Sequence, residues 1–177
     1  ATGELAKNIG VSYDESLALQ KEFNQIAMSS DKIMVSSAEV NKAFKSLNQQ
    51  FQGTTNFSKE TLEAFTGLTA QAGFSEETIG NITKLTGAQG DEINDNIALL
   101  QGELAAMNAV NGTTFSTKQM LEDIGKINKS TLLILNQQPQ ALAKTLYTSR
   151  KLGLSFAEME GIASSMLDFE SSIQNEL

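Results

Sequence analysis

The stretch Gly153-Leu154-Ser155-Phe156-Ala157 comes nearest to a reactive centre, because it approaches the Gly-x-Ser-x-Gly turn on which many hydrolases mount a nucleophilic serine. Such a serine needs a strand-turn-helix setting and an imidazole to take its proton. The chain contains no His, so Ser155 reads as a helix cap. Ser29 to Lys32 has the Ser-x-x-Lys spacing of acyl-enzyme serines, but Ser30 and Asp31 account for the same residues as a loop. Asp91-Glu92-Ile93-Asn94-Asp95-Asn96 carries the carboxylates of a calcium loop. Ile93, however, stands where the third-position oxygen ligand belongs, and Asn96 where the glycine belongs. Asp91 is therefore expected to cap a helix. The carboxylate pairs Glu76-Glu77, Glu122-Asp123 and Glu158 with Glu160 have the residue types of glycoside hydrolysis. With no Trp, and only Tyr13 and Tyr147 as tyrosines, no platform for a sugar ring accompanies them, and they read as solvated helix faces. Asn56, Asn81, Asn111 and Asn128 each begin a glycosylation pattern, yet nothing directs the chain to a secretory route.

Composition narrows the chemistry further. Zero Cys excludes disulfides and thiolate metal sites, and zero His removes the commonest general base and metal ligand. We expect no catalytic, cofactor or metal-binding residues. A net charge of -8, dispersed and not gathered in a run, opposes direct nucleic-acid binding. The one adjacent basic pair, Arg150-Lys151, falls near a helix C-terminus, where it complements the macrodipole. No stretch approaches the roughly 18 apolar residues of a membrane span. The start at Ala1 and the stop at Leu177 inside a periodic segment suggest a piece of a longer polypeptide.

What remains is a repeated phrase: an apolar residue, Ser, then Glu or Gln three positions on and another apolar residue two beyond that. It stands in full at Val35-Ser36 with Glu39 and Val40, at Phe115-Ser116 with Gln119 and Met120, and at Leu154-Ser155 with Glu158 and Met159. This is a capping box with a hydrophobic staple. Partial copies start at Ser12, which has Glu15 but no staple, and at Ser58 and Ser75, which keep their staples but carry Thr61 and Thr78 at the return position. Six helix starts follow, at Ser12, Ser36, Ser58, Ser75, Ser116 and Ser155.

The apolar spacing fits this punctuation. Leu17, Leu19, Phe23, Ile26 and Ala27 form one helical stripe; Val40, Ala43, Phe44, Leu47 and Phe51 form a second; Leu62, Phe65 and Leu68 mark a third that closes at Gly73. A fourth helix runs from Ser75 to about Thr86. After the break at Gly87-Ala88-Gln89-Gly90, a fifth displays Ile93, Ile97, Leu100, Leu104 and Met107 as far as the turn at Asn111-Gly112. From Ser116 the pattern Met120, Ile124, Ile127, Leu132 and Leu135 predicts helix to Gln137-Gln138. Pro139 then opens a new helix with Leu142, Leu146 and Leu152 inward. From Ser155, Met159, Ile162, Met166, Phe169 and Ile173 follow near-heptad spacing and form the candidate self-association seam.

Internal similarity extends to Ile79-Gly80-Asn81-Ile82-Thr83-Lys84 and Ile124-Gly125-Lys126-Ile127-Asn128-Lys129. Gly67, Gly80, Gly102, Gly125 and Gly161 fall inside predicted helices, each costing about 1 kcal/mol relative to Ala. They mark close helix approach or deliberate suppleness, or else frayed or broken helix ends. The expected fold is all-α: serial capped helices with short Gly, Ser, Thr and Asn breaks, extended or loosely bundled. Three segments are expected, 1–53, 54–112 and 113–177.

The stretch from Tyr147 to Ala163, the tail Met166-Leu167-Asp168-Phe169-Glu170-Ser171-Ser172-Ile173, and the Gly-apolar-Ser units at Gly10, Gly73 and Gly153 resemble bacteriophage tail tape measure proteins, best over residues 130–177. The resemblance implies a structural virion protein without enzymatic activity. It would set tail length, occupy the tail lumen or dock at the tail tip, and reside in the phage tail. It also implies a homo-oligomer, with a trimer favoured, and tail-tube and tail-tip or baseplate proteins as partners. The rival reading is a non-viral helical interaction or adaptor module, or a secretion-system component. A cell-wall hydrolase domain is a third, against which the missing His and Trp count.

Overall fold

The computed structural model describes residues 2–29, 34–52, 57–127, 139–155, 158, 159 and 161. The fold is all-α. Helices α1 (Thr2–Ile9), α2 (Tyr13–Ser29), α3 (Ser37–Gln50) and α4 (Lys59–Thr66) are followed by a π turn, Gly67–Gln71, that widens the end of α4. Then come α5 (Glu76–Thr86), α6 (Glu92–Asn111), α7 (Thr117–Glu122) with a 3-10 turn Asp123–Lys126, and α8 (Pro139–Leu152). The sequence pattern did not include α1.

Of the two arrangements left open by the sequence, the helices are bundled. α2 packs on α3, α3 on α4 and α5, α5 on α6 and on the 3-10 turn, and α6 on α7 and α8. One hydrophobic cluster runs from Phe23 to Tyr147 and draws on all three expected segments. Near one end Phe23 and Phe44 pack with ring centroids 5.1 Å apart, and Phe44 meets Phe57 edge-on at 5.8 Å. Such pairs add to the gain from area burial alone. The stripes of α3 to α6 supply the middle, with Val40, Leu47, Leu62, Phe65, Ile79, Ile82, Ile93, Leu100 and Leu104 buried. The stripe of α2 is narrower than expected, since Phe23 and Ile26 are buried while Leu17 is exposed.

Three further expectations are corrected. The helix from Ser116 does not run on to Gln137. α-Helix ends at Glu122, the 3-10 turn follows, and Ile127 is extended at φ -71°, ψ 135°. The break carries a tertiary tie: the Ile124 carbonyl accepts both the Ile127 amide, at 3.2 Å, and Asn81 Nδ2 of α5, at 3.0 Å. Leu152 is 63% exposed instead of inward; Leu142, Ala143, Leu146 and Tyr147 form the buried face of α8. Asp91 makes no side-chain cap bond, being itself in the right-handed helical region at φ -65°, ψ -24°. The turn before α6 is closed by the Glu92 and Ile93 amides donating to the Gln89 and Gly90 carbonyls. The expected loop at 53–56, and Leu132 and Leu135, lie outside the described residues.

Candidate functional site

All six serines of the repeated phrase open helices, but they do so in two ways. In the local form the return carboxylate lies three residues downstream. Ser12 Oγ accepts from the Glu15 amide at 3.2 Å while the Ser12 amide donates to Glu15 Oε2 at 2.8 Å. Ser36 with Glu39, and Ser155 with Glu158, repeat the exchange, their serine amides donating at 2.7 Å. The donated Ser12, Ser36 and Ser155 amides, and after them the serine hydroxyls, hold Glu15, Glu39 and Glu158 below the usual carboxylate range.

In the second form Thr replaces the return residue and the cap is tied to a distant segment. Ser75 Oγ accepts from the Thr78 amide, while the Ser75 amide donates to Glu122 Oε1 of α7 at 2.9 Å. Thr78 Oγ1 donates to Glu122 Oε2 at 2.9 Å, so the Ser75 hydroxyl is left to donate to Thr78 Oγ1 at 2.8 Å. Glu122 thus serves as the missing half of the α5 capping box from 47 residues away. At Ser58, Thr61 Oγ1 accepts the Gly90 amide at 2.9 Å and ties the start of α4 to the turn before α6. Ser116 is intermediate: its Oγ accepts from the Gln119 amide, and Gln119 Oε1 accepts from Arg150 Nη2 of α8 at 2.8 Å.

The Gly-apolar-Ser units are joints that close one helix and open the next. Gly73 and Gly153 both have φ +68°, a left-handed geometry that a Cβ disfavours. After α8 the Leu154 amide donates to the Ser149 carbonyl at 3.1 Å and the Gly153 amide to the Arg150 carbonyl at 3.2 Å, a Schellman closure. Ser155 opens the following turn at once. At Gly10 the Val11 amide reaches back to the Ala6 carbonyl in the same way. At Gly73 the π turn shifts the register, so that the Phe74 amide bonds the Leu68 carbonyl. Lys118 of α7 covers this joint, donating to the Ala72 carbonyl at 2.7 Å with its Nζ 5.4 Å from the Phe74 ring centroid.

The paired glycines of the internal similarity mark close approach. A Cβ on Gly80 would lie 1.4 Å from Gln50 Oε1, and one on Gly125 would lie 2.8 Å from Thr78 Oγ1. Gly102 and Gly161 face open space.

Several of the residues weighed for chemistry have structural partners, while Ser30, Asp31, Lys32, Asn128, Phe156, Ala157 and Glu160 lie outside the described residues. Ser155 Oγ donates to Glu158 Oε2 at 2.7 Å. Glu76 pairs with Lys42 at 3.0 Å, and Asp123 with Lys126 at 2.7 Å. Among the described residues no group of three or more acidic side chains is placed to hold a metal ion, and no helix is long and apolar enough to cross a membrane. A cleft of about 560 Å³ beside Ser155 is lined by Asp123, Lys126, Arg150 and Glu158, an open mixture of opposite charges. Tyr147 is buried against Phe115, with its hydroxyl 2.8 Å from Thr113 Oγ1. Of the seam residues, Met159 is half-buried in the turn after Ser155, while Ile162, Met166, Phe169 and Ile173 lie outside the described residues.

Sequence reasoning found the caps because each is a local, three-residue relation. It missed Glu122, whose role depends on the fold; the absent return residue at Thr78 was the one available sign. Family models, curated proteins and solved structures yield no match to this chain.

Proposed function

We propose that this chain is a structural, non-enzymatic segment of a bacteriophage tail tape measure protein, folded where the ruler docks on tail-tip or baseplate proteins. The observation that carries the reading is the Gly-apolar-Ser joint, used three times to pass from one capped helix to the next. One copy lies at the centre of the stretch that resembles that family. Dimensions favour docking over lining the lumen. A single helix of this length would reach about 265 Å, whereas α6, at 20 residues, spans about 30 Å. A cross-tied bundle therefore adds a body of fixed size to a ruler and little reach. The acidic balance keeps such a body from adhering to DNA that shares its path. The seam Met159, Ile162, Met166, Phe169 and Ile173 is where three copies would associate around the tail axis.

The test is the parent reading frame together with immunogold labelling of purified tails. The expected result is a frame of many hundreds of residues among tail genes and label at the tip. A short independent frame, or tails without label, would overturn the reading. Sedimentation equilibrium checks the seam, with Ile162→Asp plus Ile173→Asp expected to convert trimer to monomer.

A further inference from the structure

Helix α7 is six residues long, well under the roughly 12 to 15 at which an isolated helix becomes even marginal in water. Its formation is therefore its docking. Met120, Leu121, Ile124 and Ile127 supply the buried contact, and the polar ties are few and directed. Glu122 bonds Ser75 and Thr78, Asn81 bonds the Ile124 carbonyl, Lys118 bonds the Ala72 carbonyl, and Arg150 bonds Gln119. The first turn of α5 depends on the same event, because Thr78 offers no carboxylate to the Ser75 amide and Glu122 does. By contrast α2 and α3 carry their own return carboxylates and cap themselves as they form. Gly112 at φ +63° and the extended Ile127 bound the segment at its two ends.

We propose that residues 113–127 form a strap latched by Glu122, so that undocking of α7 and fraying of the first turn of α5 are one opening that precedes global unfolding. The strap is a conformational device: a segment of the bundle that releases as a unit while α2, α3 and α6 stay folded. This coupling holds whether or not the chain belongs to a tail.

Native-state hydrogen exchange on the whole 177-residue chain tests it, comparing wild type with Glu122→Ala, Glu122→Gln and Glu39→Ala. Glu122→Ala deprives the Ser75 amide of its acceptor directly, and should speed exchange of the Thr78, Ile79, Met120 and Ile124 amides by one common factor, roughly ten- to a hundredfold, and leave the centre of α6 unchanged. Glu122→Gln keeps an oxygen for Ser75 and a group that can bond Thr78, so its common factor should be smaller. Glu39→Ala should act only at the start of α3. If Glu122→Ala affects Thr78 and Ile79 but not Met120 and Ile124, Glu122 is merely a cap and the strap is refuted. Equal acceleration of all amides refutes it too. Should Glu122→Ala fail to fold, the Gln variant carries the same comparison, and separate factors for the two groups of amides would again overturn it.

Discussion

The same substitution, Gly to Ala, should have opposite signs at two helical positions. In α6 a Cβ on Gly102 meets nothing within 4 Å, so the change removes the entropy cost of a helical glycine without a steric charge against it. Gly102→Ala should stabilise by about 1 kcal/mol. At Gly125 the added carbon would lie 2.8 Å from Thr78 Oγ1, 3.2 Å from the Thr78 backbone nitrogen and 3.4 Å from Ser75 Oγ. The hydroxyl cannot swing aside freely, since it bonds both Ser75 Oγ and Glu122 Oε2, and the backbone nitrogen cannot move without shifting the start of α5. Overpacking of this kind costs about 1 to 3 kcal/mol, so Gly125→Ala should destabilise despite the propensity gain. Urea unfolding followed by far-UV circular dichroism measures both, and an unchanged slope assigns the difference to stability. In thermal melts each kcal/mol corresponds to about 2 to 4 °C at this chain length. Pairing Gly125→Ala with Thr78→Ala should recover part of the loss, because one of the two close contacts is removed. If Gly125→Ala stabilised the protein as much as Gly102→Ala, the 3-10 turn would not press on the start of α5.

Further expectations concern the core, the caps and the surface. Phe44→Ala, at a ring 1% exposed and packed on Phe23 and Phe57, should cost about 3 to 5 kcal/mol in the same unfolding assay. Ser36→Ala should cost about 1 kcal/mol, with hydrogen exchange faster at the start of α3. Glu15, Glu39 and Glu158 are lowered from 4.5 by their serine amides. Their contribution is thus fully present above about pH 4.5 and is lost as pH falls through the lowered folded values; carboxyl-carbon NMR titration should give three midpoints below 4.5, and midpoints at or above it would contradict the capping boxes. Leu152→Gln should change stability by less than about 0.5 kcal/mol, because that side chain is exposed.

What the sequence made legible was local. Ser36 with Glu39 can be read because the partners lie three residues apart and need only a helix between them. Pro139 opens a helix because its missing N–H falls among donors that are orphaned there in any case. The losses turn on contacts that residue spacing alone does not show. Asn81 of α5 bonds the Ile124 carbonyl where the α7 pattern breaks. Asp91 loses its capping role because the Gln89 and Gly90 carbonyls close the turn before α6. Leu152 follows the helical spacing of Leu142 and Leu146, but the buried face of α8 also draws on Ala143 and Tyr147, whose hydroxyl meets Thr113. In the candidate site, Met159 is the one seam residue whose surroundings are described, and the caps were legible where Glu122 was not.

The difference between Ser-x-x-Glu and Ser-x-x-Thr explains how a nearly repetitive chain acquires one core. A glutamate at the return position closes the helix start on itself and leaves it indifferent to its neighbours, as at Ser12, Ser36 and Ser155. A threonine is too short to reach back, so the serine amide or the threonine hydroxyl must find a partner elsewhere; at Ser75 that partner is Glu122, and at Thr61 it is Gly90. Gln119 shows an intermediate case, long enough to return but held by Arg150. The cross-tied starts are those of α4, α5 and α7, in the middle of the chain, where the shared core is densest in fully buried side chains such as Phe65, Ile79, Ile82 and Leu104. Degeneracy in the repeat is therefore where specificity enters. Six identical boxes would give interchangeable rods free to stack in several orders, whereas two shortened returns commit particular helices to particular partners. On the function proposed above, starts of the first kind would let a ruler scale in length with its residues, and the second kind would turn part of it into a body of set dimensions.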